Sequence, residues 1–314
     1  MLTVTALAIV GLPVIVVAAA AVDIGCGRRR LPTVRVALFL TQYAINDSIE
    51  IVAAPVYWLL AGFGRRLDEP TSIRRHQRLQ AWSIDVLARR AEQLLGLRIE
   101  LDPAGAEALG PAPAIVLCRH VNLVDASLPP LLYQRRGIRS RGVIMAELLA
   151  DPGFDLIYGR TGSVFIPRDD GRSARAMIAP LAAGLADDTV VIIFPEGRLF
   201  RPDRLQRSLG RLVETNPERA ARLAGLRHVL PPRPGGTLAL LDALADVDVV
   251  VMTHVGLDRY ASFADLARAV PLPEPIRVTA WRVPRADVPT SVAEQLAWLD
   301  EQWLAVDRWI ADRR

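Results

Sequence analysis

The chain has no lysine: all 38 basic residues among its 314 are arginine. We read that as the coding bias of a GC-rich genome. It removes every lysine nucleophile, base or Schiff base from consideration. Cysteine is almost as scarce. Cys26 and Cys118 make neither a disulfide framework nor a metal-ligand spacing, which points to a reducing compartment. His76, His228 and His254 stand at no ligand spacing to carboxylates or to each other. No metal is expected, and each of these three reads as a structural or surface histidine. No G-x-S-x-G elbow is present, which argues against a serine hydrolase. Aromatic residues make up only 6%. None form stacking platforms among the arginines, so nucleic acid is not an expected partner. Repeats and low-complexity linkers are also lacking.

Apolar sequence is plentiful, at 51% of residues and a mean hydropathy of +0.24. The net charge of +4 is unevenly placed. Residues 1–100 hold 12 Arg against 8 Asp and Glu, whereas residues 101–314 hold 26 of each. The positive excess therefore sits beside the most apolar sequence, as an anionic membrane surface would require. Leu2 to Val22 is 21 residues without a charge, long enough to span hydrocarbon. Arg28-Arg29-Arg30 follow, so the positive-inside rule puts that end in the cytoplasm. No basic stretch precedes the apolar run, which favours an anchor over a cleaved signal.

Val36 to Gly64 is apolar again but interrupted by Asn46-Asp47-Ser48 and Glu50. The pattern predicts a re-entrant or helix-break-helix segment kinked at Pro55, or else a buried helix pair. Thr71 to Leu97 reads as a helix with Leu79, Trp82, Val86 and Leu94 near one stripe and most of its arginines elsewhere. Such a helix suits a membrane interface or the surface of a globular domain. We therefore assign residues 1–97 to membrane-anchoring and interfacial helices and 98–314 to a separate α/β domain.

In that second part strand-like runs alternate with helical ones. The strands are expected at Arg98–Leu101, Ile115–Cys118, Gly142–Met145, Ser163–Ile166, Thr189–Phe194, Val247–Thr253 and Ile276–Val283. Helical stretches such as Ser173–Leu185, Glu218–Gly225 and Thr237–Ala245 fall between them. The alternation predicts an α/β fold with a mainly parallel sheet flanked by helices.

Four strand ends carry polar chemistry. The first run ends at Arg119-His120, with Asp125 at the start of the next element. A histidine and a carboxylate so placed suit base chemistry, although a lone histidine there is more often structural. The stretch Gly162 to Arg168, G-S-V-F-I-P-R, delivers an arginine suited to phosphate, or one merely exposed on a loop. The run ending Phe194-Pro195-Glu196-Gly197-Arg198 presents a carboxylate, a glycine that permits close backbone approach, and an arginine. There a plain charge pair closing the strand is the alternative. Last, Val229 to Gly236 is a Pro/Gly turn ahead of an apolar helix, able to pass a ligand phosphate or simply to punctuate the chain.

In order and spacing these four blocks resemble the glycerophospholipid acyltransferase superfamily, the 1-acylglycerol-3-phosphate O-acyltransferases and their relatives. The family's H-x4-D, G-x-x-F-I-x-R, F-P-E-G and proline-containing blocks all occur between Arg119 and Gly236. Arg207-Ser208, the V-L-P-P-R-P-G run and the tail are similar to the lysocardiolipin and lysophosphatidylinositol branch. The family usually has Asn or Ser where Arg119 stands, and T-R after F-P-E-G where this chain has Arg198-Leu199. The resemblance implies transfer of a fatty acyl group from acyl-CoA or acyl carrier protein to a lysophospholipid hydroxyl. Lysophosphatidic acid is the first candidate, with lysophosphatidylinositol or a non-catalytic lipid-binding role as alternatives. It implies His120 as general base and Asp125 as its orienter. Imidazole, with a reference pKa of about 6.5, is available as a base near neutral pH. Arg168 would bind the acceptor phosphate, and Glu196, Gly197, Arg198, Gly162 and Phe165 would complete the substrate site. Oxyanion donors would come from N–H groups near Val121–Leu123 or Gly197. No cofactor is implied beyond the thioester co-substrate. The expected partners are a membrane lipid acceptor, the acyl donor and an anionic membrane surface, with the catalytic domain on the cytoplasmic side of the cytoplasmic membrane.

Overall fold

The computed structural model describes residues 2–150, 158–166, 178, 180–260 and 262–314. The chain divides into two compact units. The first comprises 1–98 together with 144–168 and 260–275, and the second comprises 99–143, 169–259 and 276–314.

In the first unit, helices α1 (Leu2–Val10) and α2 (Leu12–Gly25) replace the single span expected from the sequence. They bend by 66° at Gly11. Pro13, in the first turn of α2, has no N–H to give the carbonyl four residues back, so the ladder cannot run through. Among the described residues no single helix is long and apolar enough to cross a membrane, and only this bent pair passes that test together. Asp23 does not end the helix. Its carboxylate is buried and accepts from Thr33 N (2.9 Å), Thr33 Oγ1 (2.7 Å) and Val34 N (3.2 Å). It thereby satisfies orphan donors at the start of α3 and sits at the positive end of that helix's dipole.

Helix α3 (Pro32–Leu60) is continuous, a correction to the expected break at Asn46-Asp47-Ser48. Polar side chains there find partners sideways, so the backbone ladder need not open. Asn46 Nδ2 donates to Ser83 Oγ at 3.1 Å, Gln42 Nε2 donates to Asn46 Oδ1 at 2.8 Å, and Ser48 Oγ donates to Thr5 Oγ1 at 2.7 Å. Helix α4 (Pro70–Arg90) turns the face with Ser72, His76, Gln80 and Ser83 inward and leaves Trp82 40% exposed. Most exposed large apolar side chains among the described residues belong to residues 2–82. The unit is polar within and apolar without, the reverse of an ordinary domain.

The second unit is the expected α/β fold. Strands β1 (Ile99–Leu101), β2 (Ala114–Cys118), β3 (Arg139–Met145), β5 (Thr189–Ile193), β6 (Val249–Val255) and β7 (Ile276–Val283) lie in the order β1-β7-β6-β2-β5-β3; β4 is the short strand Val164–Ile166 of the first unit. All pairings among the six are parallel except β6 with β7. Strands β2, β5 and β6 are fully buried, which is why they read as unbroken apolar runs. Three parallel neighbours thus end on one carboxyl edge, where such sheets place their ligands. Helix α5 (Pro103–Ala108) follows β1, and α6 (Leu128–Gln134) follows β2. Helices α7 (Pro202–Thr215), α8 (Pro217–Leu223) and α9 (Pro234–Ala243) come between β5 and β6. Helix α10 (Phe263–Ala269) belongs to the first unit, and α11 (Val292–Ala311) closes the chain.

Candidate active site

His120 leaves the end of β2, and its side chain is 14% exposed. The turn that follows explains the four-residue spacing to Asp125. Asn122 caps a short 3-10 helix, Leu123–Ser127, and Asp125 at its third position reaches back as the other half of a capping box. Asp125 Oδ2 accepts from Val121 N (2.5 Å) and Asn122 N (2.8 Å), which frees Oδ1 to take His120 Nδ1 at 2.5 Å. The carboxylate is therefore both the cap of the loop and the partner of the ring. With Nδ1 held, Nε2 is the nitrogen left for chemistry. The ring leans on Phe194, with centroids 4.6 Å apart.

The His120 backbone is pinned on both sides. Its N–H donates to Glu196 Oε1 at 2.9 Å, and its carbonyl accepts from Phe200 N at 2.7 Å. The other Glu196 oxygen accepts from Leu230 N at 2.8 Å. Glu196 is 1% exposed, and both its oxygens serve backbone, so it ties three segments together behind the histidine. Gly197, at φ +62°, turns the chain sharply here; a Cβ would sit 3.1 Å from Arg233 Cδ. The N–H groups of Val121 and Asn122 are committed to Asp125, and that of Gly197 donates to Phe194 O, so these three are not open oxyanion donors.

Beneath the histidine, Arg119 is completely buried. Its guanidinium donates to His254 O (2.7 Å), His228 O (3.0 Å) and Asp258 Oδ1 (2.7 Å). This arginine is a brace between loops, and its charge is answered by Asp258. His254 sits on β6, two residues beyond Met252, the register partner of Cys118. Its Nε2 lies 3.5 Å from Asp125 Oδ2, and neither ring nitrogen makes a hydrogen bond with a described residue. Asp125 therefore stands between two imidazoles. Burial pushes its carboxyl up, but the hydrogen bond from His120 and the nearby imidazole of His254 outweigh that and hold it well below the usual carboxylate range. It stays ionised, as an orienting carboxylate must. Cys118, below the site, is no nucleophile: burial and the neighbouring Asp125 push its thiol up.

A family model described as Acyltransferase matches residues 102–255, the segment holding His120, Asp125, Glu196 and His254. That segment is an acyltransferase domain, and its motifs resemble those of the glycerophospholipid acyltransferase superfamily. No curated protein sequence matches it significantly. Among solved structures it is similar to the 1-acyl-sn-glycerophosphate (LPA) acyltransferase PlsC from Thermotoga maritima. The TM-score is 0.51 at 18% identity, over 86% of this chain and 95% of that one. At that identity the likeness speaks for the fold.

Of the residues expected from the acyltransferase motifs, His120, Asp125, Glu196, Gly197 and Arg198 come together at the β2 and β5 ends. Arg168 lies outside the described residues. Gly162, at φ +89°, and Phe165, on β4, belong to the first unit. Among the described residues no cluster of His, Cys, Asp or Glu is arranged to hold a metal.

The fourth block is fixed at several points. Arg233 N donates to Pro195 O at 2.7 Å, and Arg219, paired with buried Asp300 at 2.8 Å, donates to Pro232 O at 2.6 Å. Between this loop and α7 lies a cavity of about 310 Å³, floored by Glu196, Leu230 and Pro231 and walled by Ser208 and arginines. Arg198 is one of them, Arg233 lies in the fourth block and Arg207-Ser208 stood out by resemblance; Arg204 and Arg211 were not anticipated. Arg204, Arg207, Ser208 and Arg211 fall at helical spacing on α7, a stripe that the sequence does display. His254 was also missed. Inside an apolar run it reads as structural, and its neighbour Asp125 is far away in sequence.

The tie at Glu196 has a pH signature. Burial pushes its carboxyl up to about 7, against the pull of the Leu230 N–H, the Arg119 charge and the His120 N–H. The folded state thus holds this proton more tightly than the unfolded chain does. Its contribution to stability is present at low pH and lost as pH rises from the unfolded carboxylate value of about 4.3 through about 7. Glu196→Gln removes that titration. Denaturation midpoints in detergent should show the deficit of the variant shrinking between about pH 5 and about pH 8. A deficit that stays constant, or widens, across that range would show that Glu196 does not titrate there.

Proposed function

We propose that the chain transfers a fatty acyl group from an acyl thioester, acyl-CoA or acyl carrier protein, to a hydroxyl of a lysophospholipid, with lysophosphatidic acid as the simplest acceptor. The observation that carries this reading is the His120–Asp125 pair, with Nδ1 bound to an ionised carboxylate and Nε2 left to act. His120 Nε2 takes the proton of the acceptor hydroxyl as its oxygen attacks the thioester carbonyl carbon. Asp125 holds the ring in the required tautomer and offsets the charge of the imidazolium. The tetrahedral oxyanion collapses, the carbon–sulfur bond breaks, and the thiolate leaves with the proton from His120. An ester and a free thiol result, with no acyl-enzyme in between.

The inverted polarity of the first unit supports a lipid-facing role. Its hydroxyls and amides bond to each other inside while Leu, Val, Ile and Trp side chains face outward, so the acceptor would arrive from the bilayer. The arginine excess of residues 1–100 suits an anionic, cytoplasmic leaflet.

The test is a panel of lysophospholipids given to the purified protein with acyl-CoA, with thiol release and product masses recorded together. Phosphatidic acid should form from lysophosphatidic acid. Phosphatidylinositol formed from lysophosphatidylinositol instead would move the acceptor and keep the reaction. No acylated product with any member, from acyl-CoA or acyl carrier protein, would leave the non-catalytic lipid-binding reading in its place.

A further inference from the structure

Asp125 is not left to His120 alone. Its Oδ1 takes the His120 ring, and its Oδ2 takes two backbone N–H groups. A second imidazole comes up to that same Oδ2: His254 Nε2 lies 3.5 Å away. His254 is completely buried, and neither of its ring nitrogens has a hydrogen bond with a described residue. Burying an imidazole N–H without an acceptor costs stability, so the proton belongs on the nitrogen that faces one. Among the described residues Asp125 is the carboxylate the ring approaches, and it does so with Nε2. An ordinary N–H···O bond is about 2.9 Å long, and a small turn of the ring closes the difference.

The backbone places this ring firmly. Strand β6 lies beside β2 with Met252 opposite Cys118, so His254 falls in the row where His120 leaves the sheet. On its other side β6 pairs with β7, with Val278 opposite His254. The His254 carbonyl accepts from Arg119 Nη1 at 2.7 Å. We propose that His254 is a positioning residue for the base: its Nε2–H takes Asp125 Oδ2, so that one carboxylate is shared between two imidazoles. The sharing stands on contact and burial, and only its consequence for turnover rests on the acyl-transfer reading. A donor on Asp125 draws off part of the charge that would otherwise hold a proton on His120. His120 is then neutral, and able to take the hydroxyl proton, down to a lower pH than an unshared Asp125 would allow. Loss of the donor should therefore raise the pH at which His120 titrates.

The other charged groups around the pair have partners of their own. Arg119 is answered by Asp258 on the turn after β6, and Arg314 stands 3.8 Å from the same carboxylate. His228 Nδ1 accepts from Arg314 at 3.1 Å. Glu196, at the β5 end, gives both oxygens to backbone N–H groups. On α11, Asp300 pairs with Arg219, and Asp307 accepts from the Arg227 and His228 N–H groups. Burial keeps the Cys118 thiol protonated. Glu196 titrates in the same range as an imidazole but is common to the wild type and both variants below, so differences between the proteins carry the answer.

The chain has only 4 histidines, so nuclear magnetic resonance can follow each ring. The sample is the full-length protein in detergent, isotopically labelled at its histidine nitrogens and titrated from about pH 5 to about pH 9. At neutral pH the wild-type His254 should carry its proton on Nε2. A bare Nε2 there overturns the inference without any variant, so the answer does not hang on whether a variant folds. His254→Leu, which fills the space but has no donor, should raise the His120 midpoint by about one pH unit. His254→Gln, whose amide N–H sits about as far from the backbone, should restore it to within about a third of a unit. On the acid side of the midpoint, kcat/KM of His254→Leu should fall about tenfold, one unit being tenfold in neutral imidazole, and recover toward the wild type at high pH. A histidine that merely filled space would make leucine as good as glutamine. A His120 midpoint unmoved in His254→Leu, or moved as far in His254→Gln, overturns the inference. Acyl transfer with an unmoved midpoint removes the sharing and leaves the reaction. A moved midpoint with no acyl transfer by any of the proteins keeps the sharing and removes the reaction.

Discussion

Replacing His120 by alanine is expected to lower kcat for acyl transfer by about 10²–10⁴-fold, the usual worth of a positioned general base. The acceptor and donor would still be held by groups elsewhere, so KM should change little. Folding should survive, because the ring is partly exposed and the loop is held independently of it: Glu196 and Phe200 bind the His120 backbone, and Asp125 caps Val121 and Asn122. A cooperative thermal transition close to that of the wild type would establish that the loss is chemical. Asp125→Asn is the informative companion. It offers one acceptor and one donor where two backbone N–H groups and an imidazole expect a carboxylate, so activity and loop order should fall together. Thiol release by folded His120→Ala equal to that of the wild type would rule out the base mechanism outright.

The largest effect on stability is expected at Arg119. Arg119→Leu removes a buried cation and leaves Asp258 charged and buried, together with two carbonyls that lose their donor. Breaking a buried pair from one side costs about 3–5 kcal/mol. Denaturant unfolding in detergent gives the number. Adding Asp258→Leu to the first substitution should recover a good part of it, because the pair then leaves as a unit. A single-variant cost under about 1 kcal/mol would show that the guanidinium is not braced as described. The result also bears on why this chain has arginine before its histidine where relatives usually have a small polar residue. Here the position faces inward, and the end of β6 with His254 and the loops carrying His228 and Asp258 are built around it.

Much of this architecture is legible from residue order alone. Every described strand was foreseen, because buried parallel strands leave apolar runs with hard ends. The spacing of His120 and Asp125 was legible for a reason the sequence conceals: the same carboxylate must cap the turn and hold the ring. What escaped depends on lateral neighbours. His254 gains meaning only when β6 lies beside β2. Continuity of α3 through Asn46-Asp47-Ser48 needs Thr5 and Ser83 as partners, each some forty residues away. The apolar stripe of α4 was visible, but not that the face beside it, with Ser72, His76, Gln80 and Ser83, would be the one packed inward.

That first unit has a practical consequence for anyone handling the protein. Ordinary domains are glued by oil and lubricated by water; this one is stitched by hydroxyls and amides and coated in oil. Diluting away detergent should leave its stitching intact while its coat seeks other coats. Loss of material on purification would then report clustering of folded molecules rather than unfolding. Adding lipid should recover it without any refolding step.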